Sequence, residues 1–221
     1  MSLVPTRYHG LWQRTLYAEP ARGEPDRVDD TTQVFWLQAG DWHADLRVPT
    51  DRPDFAGIES RAACRRDQLE WLAGLTAFAG ITRVQGPFCT WHRLVDLSPG
   101  LDKDIGVMRF IDDDTLEECH PSGRYREIWR RLTTLASAEP IVERNAAGLP
   151  CWLQYGDHAM AIDDRTPADN APDLLAEPAG LDTAALQERL AVNIRYARRR
   201  DQAWEVQLST WPWQENRPLM T

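Results

Sequence analysis

Thr31-Thr32-Gln33-Val34-Phe35-Trp36-Leu37-Gln38, then Gly40-Asp41, then Trp42-His43-Ala44-Asp45-Leu46-Arg47-Val48 is the stretch that sets the fold class. The first run is rich in β-branched and aromatic residues, which suit a pleated, half-buried surface, so it reads as a strand. Gly40-Asp41 interrupts it. In the second run Trp42, Ala44, Leu46 and Val48 alternate with His43, Asp45 and Arg47, the period of two of a strand buried on one face. Pro49, Pro53 and Gly57 end it.

Working outward, 10–19 reads as a strand and 21–30 as a Gly-, Pro- and Asp-bearing loop. Trp71, Leu72, Leu75 and Phe78 recur at helical spacing, which predicts a helix near 64–79. Strands follow over 82–85, 88–97, 106–111 and 115–120, with Asp112-Asp113-Asp114 as a hairpin turn, and then over 125–133. Residues 151–162 read as a strand or hairpin bent at Gly156-Asp157, and 164–180 as a Pro-rich loop. Asp182 is a good N-cap for a helix near 183–200, with Leu186, Leu190, Ile194 and Ala197 on one face. A last strand, 203–213, carries Trp204, Trp211 and Trp213.

A faint repeat runs through this order. Trp36-Leu37-Gln38-Ala39-Gly40-Asp41 matches Trp152-Leu153-Gln154-Tyr155-Gly156-Asp157. Trp12-Gln13-Arg14 pairs with Trp129-Arg130-Arg131 upstream, and Thr90-Trp91 with Thr210-Trp211 downstream. We therefore expect one structural domain, 1–221, of two related halves, 10–120 and 124–215, one with each helix. The fold class is mainly β: an antiparallel barrel with two helices, either one larger barrel or two related packed units.

Composition bounds the function. The chain has 221 residues, a formal charge of −9 and ten Trp against five Phe and five Tyr. Phosphate binding needs clustered positive charge, so nucleic acid is not an expected partner. No apolar run is long enough for a transmembrane helix, and the N-terminus carries no secretory signal, so the expected location is the cytoplasm, without membrane insertion. Cys64, Cys89, Cys119 and Cys151 lie far apart and the five His show no ligand spacing, so no metal is expected. The absence of a phosphate loop or nucleophile elbow leaves no cofactor expected.

Gly10-Leu11-Trp12-Gln13-Arg14, Phe35-Trp36-Leu37-Gln38 and Ala44-Asp45-Leu46-Arg47-Val48-Pro49 resemble the Hri1-like proteins, a set of uncharacterised bacterial proteins placed with the lipocalin-like (calycin) β-barrels. Cys89-Thr90-Trp91-His92-Arg93 and Met108-Arg109-Phe110 fit the same pattern, and the likeness covers about 10–132. It implies a barrel, but no activity carries over; small apolar ligands in the barrel mouth are a fold-level analogy.

The candidate ligand contacts are Trp12, Trp36, Trp42 and Trp91, whose indoles could line a pocket or fill a core. Trp42, without a counterpart in the second half, is the first choice. His43, Asp45 and Arg47 share one strand face. If that face lines the lumen, all three are candidate catalytic acids and bases with shifted pKa values; the opposite face is more apolar, which favours a solvated stripe, although Arg47 could still clamp a substrate carboxylate. His92 is a candidate acid–base group, and Glu118 with His120 a candidate pair. The leading expectation is a binder of a small apolar or aromatic molecule in a cavity of roughly 300 Å³ or more. The alternatives are a cofactor-free acid–base enzyme (dehydratase, isomerase or decarboxylase) and a protein-interaction module, with a homodimer compatible with the latter.

Overall fold

Alternation builds the first sheet. The computed structural model describes residues 4–21, 25–133, 139–165 and 173–219. Its strands are β1 (Gly10–Glu19), β2 (Arg27–Asp29), β3 (Gln33–Ala39), β4 (Trp42–Val48), β5 (Thr76–Gln85), β6 (Phe88–Asp96), β7 (Asp104–Phe110), β8 (Thr115–Cys119) and β9 (Arg126–Arg131). Strands β1 and β3 to β9 pair antiparallel in sequence order, and β9 returns to β1, closing an eight-stranded barrel; β2 pairs only with the end of β1. Closure leaves these strands no free edge.

Register fixes which side chains enter the barrel. Trp12 faces Trp36, and Trp36 faces Asp45. A shift between Arg14 and Leu16 moves the inward positions of β1 from Trp12 and Arg14 to Tyr17. The lower interior is filled by Tyr8, Trp12, Val34, Trp36, Cys89, Met108, Leu116 and Trp129. Trp12 stacks on Trp36 at 6.1 Å, and Trp36 stands edge-on to Trp91 at 5.7 Å and to Trp129 at 5.8 Å. Arg131 closes this end. Its guanidinium lies 4.1 Å over the Trp12 ring and donates to the carbonyls of Arg7, His9 and Asp113 and to the Asp114 carboxylate.

The second sheet is β10 (Ile141–Arg144), β11 (Pro150–Tyr155), β12 (His158–Asp163), β13 (Asn193–Arg200) and β14 (Ala203–Ser209), paired in sequence order. It lies against the outside of the barrel. Leu37, Ala44, Leu46, Val48, Ala77 and Ala79 share one buried core with Leu153, Tyr155, Met160, Ile162, Ile194 and Tyr196. Phe35 meets Tyr196 at 4.6 Å. Helices α1 (Arg66–Ala73) and α2 (Thr183–Arg189) add Leu69, Leu72 and Leu186 to that core.

Three sequence expectations change here. The helix near 64–79 stops at Ala73, capped by Gly74, and Phe78 lies on β5 facing into the barrel. The helix near 183–200 is α2 alone: Asp182 does cap it, accepting from the Ala185 amide at 2.8 Å, but Ile194 and Ala197 belong to β13. Leu186, Leu190 and Ile194 are spaced by four, which places residues on one face of a strand as well as of a helix. Finally, 126–131 closes the first barrel instead of opening a second unit, so Trp129 has no equivalence with Trp12. Trp91 lies within β6, whereas Trp211 follows the end of β14. Part of the loop at 164–180 lies outside the described residues.

The hairpin, helix, hairpin order does recur: β3-β4, α1, β5-β6 and then β11-β12, α2, β13-β14. Gly40 and Gly156 turn the matching hairpins at φ 58° and 61°, a region that disfavours side chains with a Cβ. Beside each, Gln38 and Gln154 donate through their side-chain amides to the glycine carbonyl, at 2.9 and 3.1 Å.

Candidate functional site

Strand β4 carries the largest correction. Its apolar face packs on the second sheet, and its polar face looks into the barrel. Asp45 is 3% exposed and His43 fully buried. Trp42, the first choice for a ligand contact, is outside, partly buried at the edge of the inter-sheet core with Arg144 at 5.8 Å over its ring.

Above the tryptophan layer sits a charged chamber. Arg47 donates to Asp45 from Nε at 2.7 Å and Nη2 at 3.3 Å, and to Glu127 from Nη1 at 3.3 Å. Arg14 bridges Glu127 and Asp29, each at 2.9 Å. Arg47 thus has its own carboxylates in the geometry once considered for a substrate carboxylate. Burial opposes its charge, but Asp45 and Glu127 outweigh burial and keep it cationic. Its side chain is still 26% exposed, so the chamber reaches solvent.

Glu118 enters from β8. Its two oxygens accept from the Tyr125 hydroxyl at 3.0 Å and the Trp129 indole at 3.1 Å. Gly106 makes its place: a Cβ there would lie 2.7 Å from Glu118 Cγ. Burial, reinforced by Glu127 and opposed by Arg47, holds the Glu118 carboxyl well above the usual carboxylate range. Burial and Glu118 in turn raise Tyr125. Glu118 therefore favours its protonated form more than a solvated glutamate does.

Trp36, Asp45, Arg47, Phe78, Trp91, Asp104, Glu118 and Trp129 wall a cavity of about 10 Å³, space for about one water-sized group. The expected apolar cavity of ligand size is not here, because indole rings occupy the interior. Room lies instead in a lateral groove of about 890 Å³ beside β6, the segment that joins it to β7 and the β8–β9 turn, with Phe88, His92, Arg93, Tyr125 and Arg124 in its walls. Trp91 and Asp104 line both spaces.

The other candidates separate. Trp36 and Trp91 line the cavity; Trp12 lies below, donating its indole N–H to the Tyr8 carbonyl at 2.8 Å. His92 is on the outer face, exposed in the groove. His120 stands beyond β8 beside Ser122 and Arg124 at 2.8 Å each, and no hydrogen bond joins it to Glu118. His43 is structural. The Thr82 hydroxyl donates to Gln38 at 2.8 Å, so His43 Nδ1 must carry the proton that bonds Thr82 Oγ1 at 3.0 Å. Burial, with the positive field of Arg93, pulls His43 down to about 3.

Glu127, Trp129, Tyr125 and Asp104 escaped the sequence reading. The signal available was alternation in β9, where Glu127, Trp129 and Arg131 share a face. Comparison with family models, with curated proteins and with solved structures finds no match to this chain. Among the described residues no helix is long and apolar enough to cross a membrane.

Proposed function

We propose that the barrel binds a small molecule with an aromatic body and a polar head, the body in the lateral groove and the head at the charged chamber. The observation that carries this is the junction formed by Trp91 and Asp104, which line both the groove of about 890 Å³ and the ring-walled cavity. Binding sites combine apolar walls with a few converging polar groups, and this junction has both. The resemblance to Hri1-like, lipocalin-like barrels agrees with this reading, as does the Trp content of the first half. The expected small apolar or aromatic ligand gains a polar head in this reading, because ionisable side chains crowd the chamber. Native mass spectrometry of the protein purified from its own host tests the reading. A retained small molecule, lost on Trp91→Ala, is the expected result. A mass equal to the bare chain, with no tryptophan fluorescence response to any aromatic probe, would refute it.

A cofactor-free acid–base reaction in the same chamber is the second reading, and Glu118 is its support. Burial raises this carboxyl beside the Tyr125 hydroxyl, and in its protonated form it can donate a hydrogen bond or a proton to a substrate oxygen. Turnover of a carbonyl substrate that is abolished by Glu118→Gln, with binding retained, would distinguish it from simple binding.

A further inference from the structure

The charges in the wall of the ring-lined cavity pair off. Arg47 holds Asp45 at 2.7 Å, and Arg93 holds Asp104 at 2.7 Å. Both Glu118 oxygens already accept, one from Tyr125 and one from Trp129. The indoles on either side of Trp36 are also satisfied: Trp12 donates to the Tyr8 carbonyl and Trp129 to Glu118. Trp36 differs. Of the buried polar atoms in this wall, its Nε1 is the one with no hydrogen-bond partner among the described residues. The residue is 1% exposed, so bulk solvent does not complete it. An indole N–H donates and cannot accept. The wall is thus balanced in charge and short of one acceptor.

Size and charge narrow what can supply that acceptor. The cavity of about 10 Å³ takes one water-sized group. A single oxygen atom fits. A carboxylate brings two oxygens and a charge, and it would stand among Asp45, Asp104 and Glu118. An ammonium brings three more donors to a wall whose open group is itself a donor. A neutral oxygen supplies lone pairs and adds no charge to a buried site, where an unpaired charge is costly. Trp91 and Asp104 line the groove as well as the cavity, so a ring beside Trp91 in the groove lies one side chain away from this wall.

We propose that the ligand's head is a neutral oxygen, of a carbonyl or a hydroxyl, that accepts the Trp36 indole N–H, while its ring lies in the groove beside Trp91 and Phe88. This rests on the reading that the barrel takes a small molecule with its body in the groove, and it names the chemistry of the head.

Calorimetry at neutral pH with four probes of similar shape tests it: 4-phenyl-2-butanone, 3-phenylpropanol, 3-phenylpropylamine and 3-phenylpropionate. The ketone and the alcohol should each bind more tightly than the amine and the carboxylate by about tenfold or more, the scale of one buried donor met or left unmet. Two-dimensional NMR of the indole N–H groups gives the second readout. The Trp36 peak, identified by through-space contacts to the Trp12 and Trp129 rings, should move when the ketone or the alcohol binds. Trp36→Phe should erase the preference for the neutral oxygens. If that variant melts early, the indole peak of the unaltered chain decides. Tighter binding of the amine overturns the assignment. Tighter binding of the carboxylate does so too, and places the head at Arg83, Lys103 and Arg124 in the groove instead. A Trp36 peak unmoved by bound ketone or alcohol also overturns it, and means that a lone water or a neighbouring ring face holds the N–H. These outcomes leave small-molecule binding in place. If no probe binds at millimolar concentration, the assignment falls, and the retained-mass experiment judges the broader reading separately.

Discussion

Glu118 on β8 stands directly across from Glu127 on β9, and both side chains point into the barrel. Like charges facing each other on one sheet face repel. Arg14 and Arg47 both bind Glu127, whereas Glu118 receives only neutral donors, Tyr125 and Trp129. The pair therefore divides its partners: Glu127 takes the guanidiniums and Glu118 the neutral donors.

That division predicts a pH dependence. The Glu118 carboxyl is raised in the folded chain by burial, Glu127 and Asp104, against the opposing field of Arg47. Below the ordinary Glu value both states hold the proton. As pH rises, the unfolded chain releases it first, so stability falls until pH passes the folded value. Glu118→Gln should remove this loss. Its amide can accept from Trp129 and donate to Tyr125. Thermal melts should show the variant gaining on the parent between pH 5 and pH 8, by about 2–4 °C per kcal/mol. A constant offset across that range would contradict the assignment.

His43 predicts the opposite slope. It is neutral when folded, lowered to about 3, while the unfolded ring titrates near the ordinary His value of 6.5. Between those values the unfolded state binds more protons, so stability drops as pH falls, by up to about 1.4 kcal/mol per pH unit. His158, bonded to the Tyr196 hydroxyl at 2.8 Å and lowered to about 4, adds to it. Over part of this window Glu118 and His43 oppose each other, so the wild-type curve alone does not separate them. His43→Gln should shallow the acid limb of denaturant-derived stability. NMR of the imidazole nitrogens should find Nδ1 protonated and no titration above pH 5.

Gly106 should not tolerate a side chain. A Cβ would meet Glu118 Cγ at 2.7 Å and Oε1 at 2.9 Å. The Glu118 carboxyl can move only by giving up Tyr125 or Trp129. Gly106→Ala should cost about 1–3 kcal/mol, the usual range for overpacking. The double variant with Glu118→Ala should recover much of it, and a double-mutant cycle from urea unfolding measures the coupling.

The barrel was legible because alternation and turn residues are local. The orientation of β4 was not. Trp42, Ala44, Leu46 and Val48 form the more apolar face, and an apolar face does mark a core. This molecule has two cores, however, and the larger lies between the sheets. The polar face was then free to line the barrel, where Arg47, Asp45 and Glu127 satisfy one another. Asp45 is two residues from Arg47, but Glu127 lies 80 residues further along the chain, which no spacing rule reveals. Trp42 was misplaced for the same reason. Trp36 and Trp91 were found because their strands carry indoles on the inward face.

The two-core arrangement gives a last prediction, which separates the faces of one strand. Leu46 is fully buried between the sheets, and Asp45 beside it is buried in the barrel. Leu46→Asp would bury a carboxylate among Leu153, Ile162 and Tyr196 with no cation in that core. Unpaired charge is among the costliest changes a core can receive, so this variant should unfold or lose the second sheet. Leu46→Ala should fold with a loss of about 2–5 kcal/mol. Asp45→Asn keeps shape and two of its hydrogen-bonding positions, so it should melt nearer the parent while weakening the hold on Arg47. Limited proteolysis reads the difference: Leu46→Ala should open cleavage sites in 139–165 and 193–209 before any in 10–131. Asp45→Asn should show no such order. Cleavage of the barrel first in Leu46→Ala would mean that the second sheet does not depend on the face of β4.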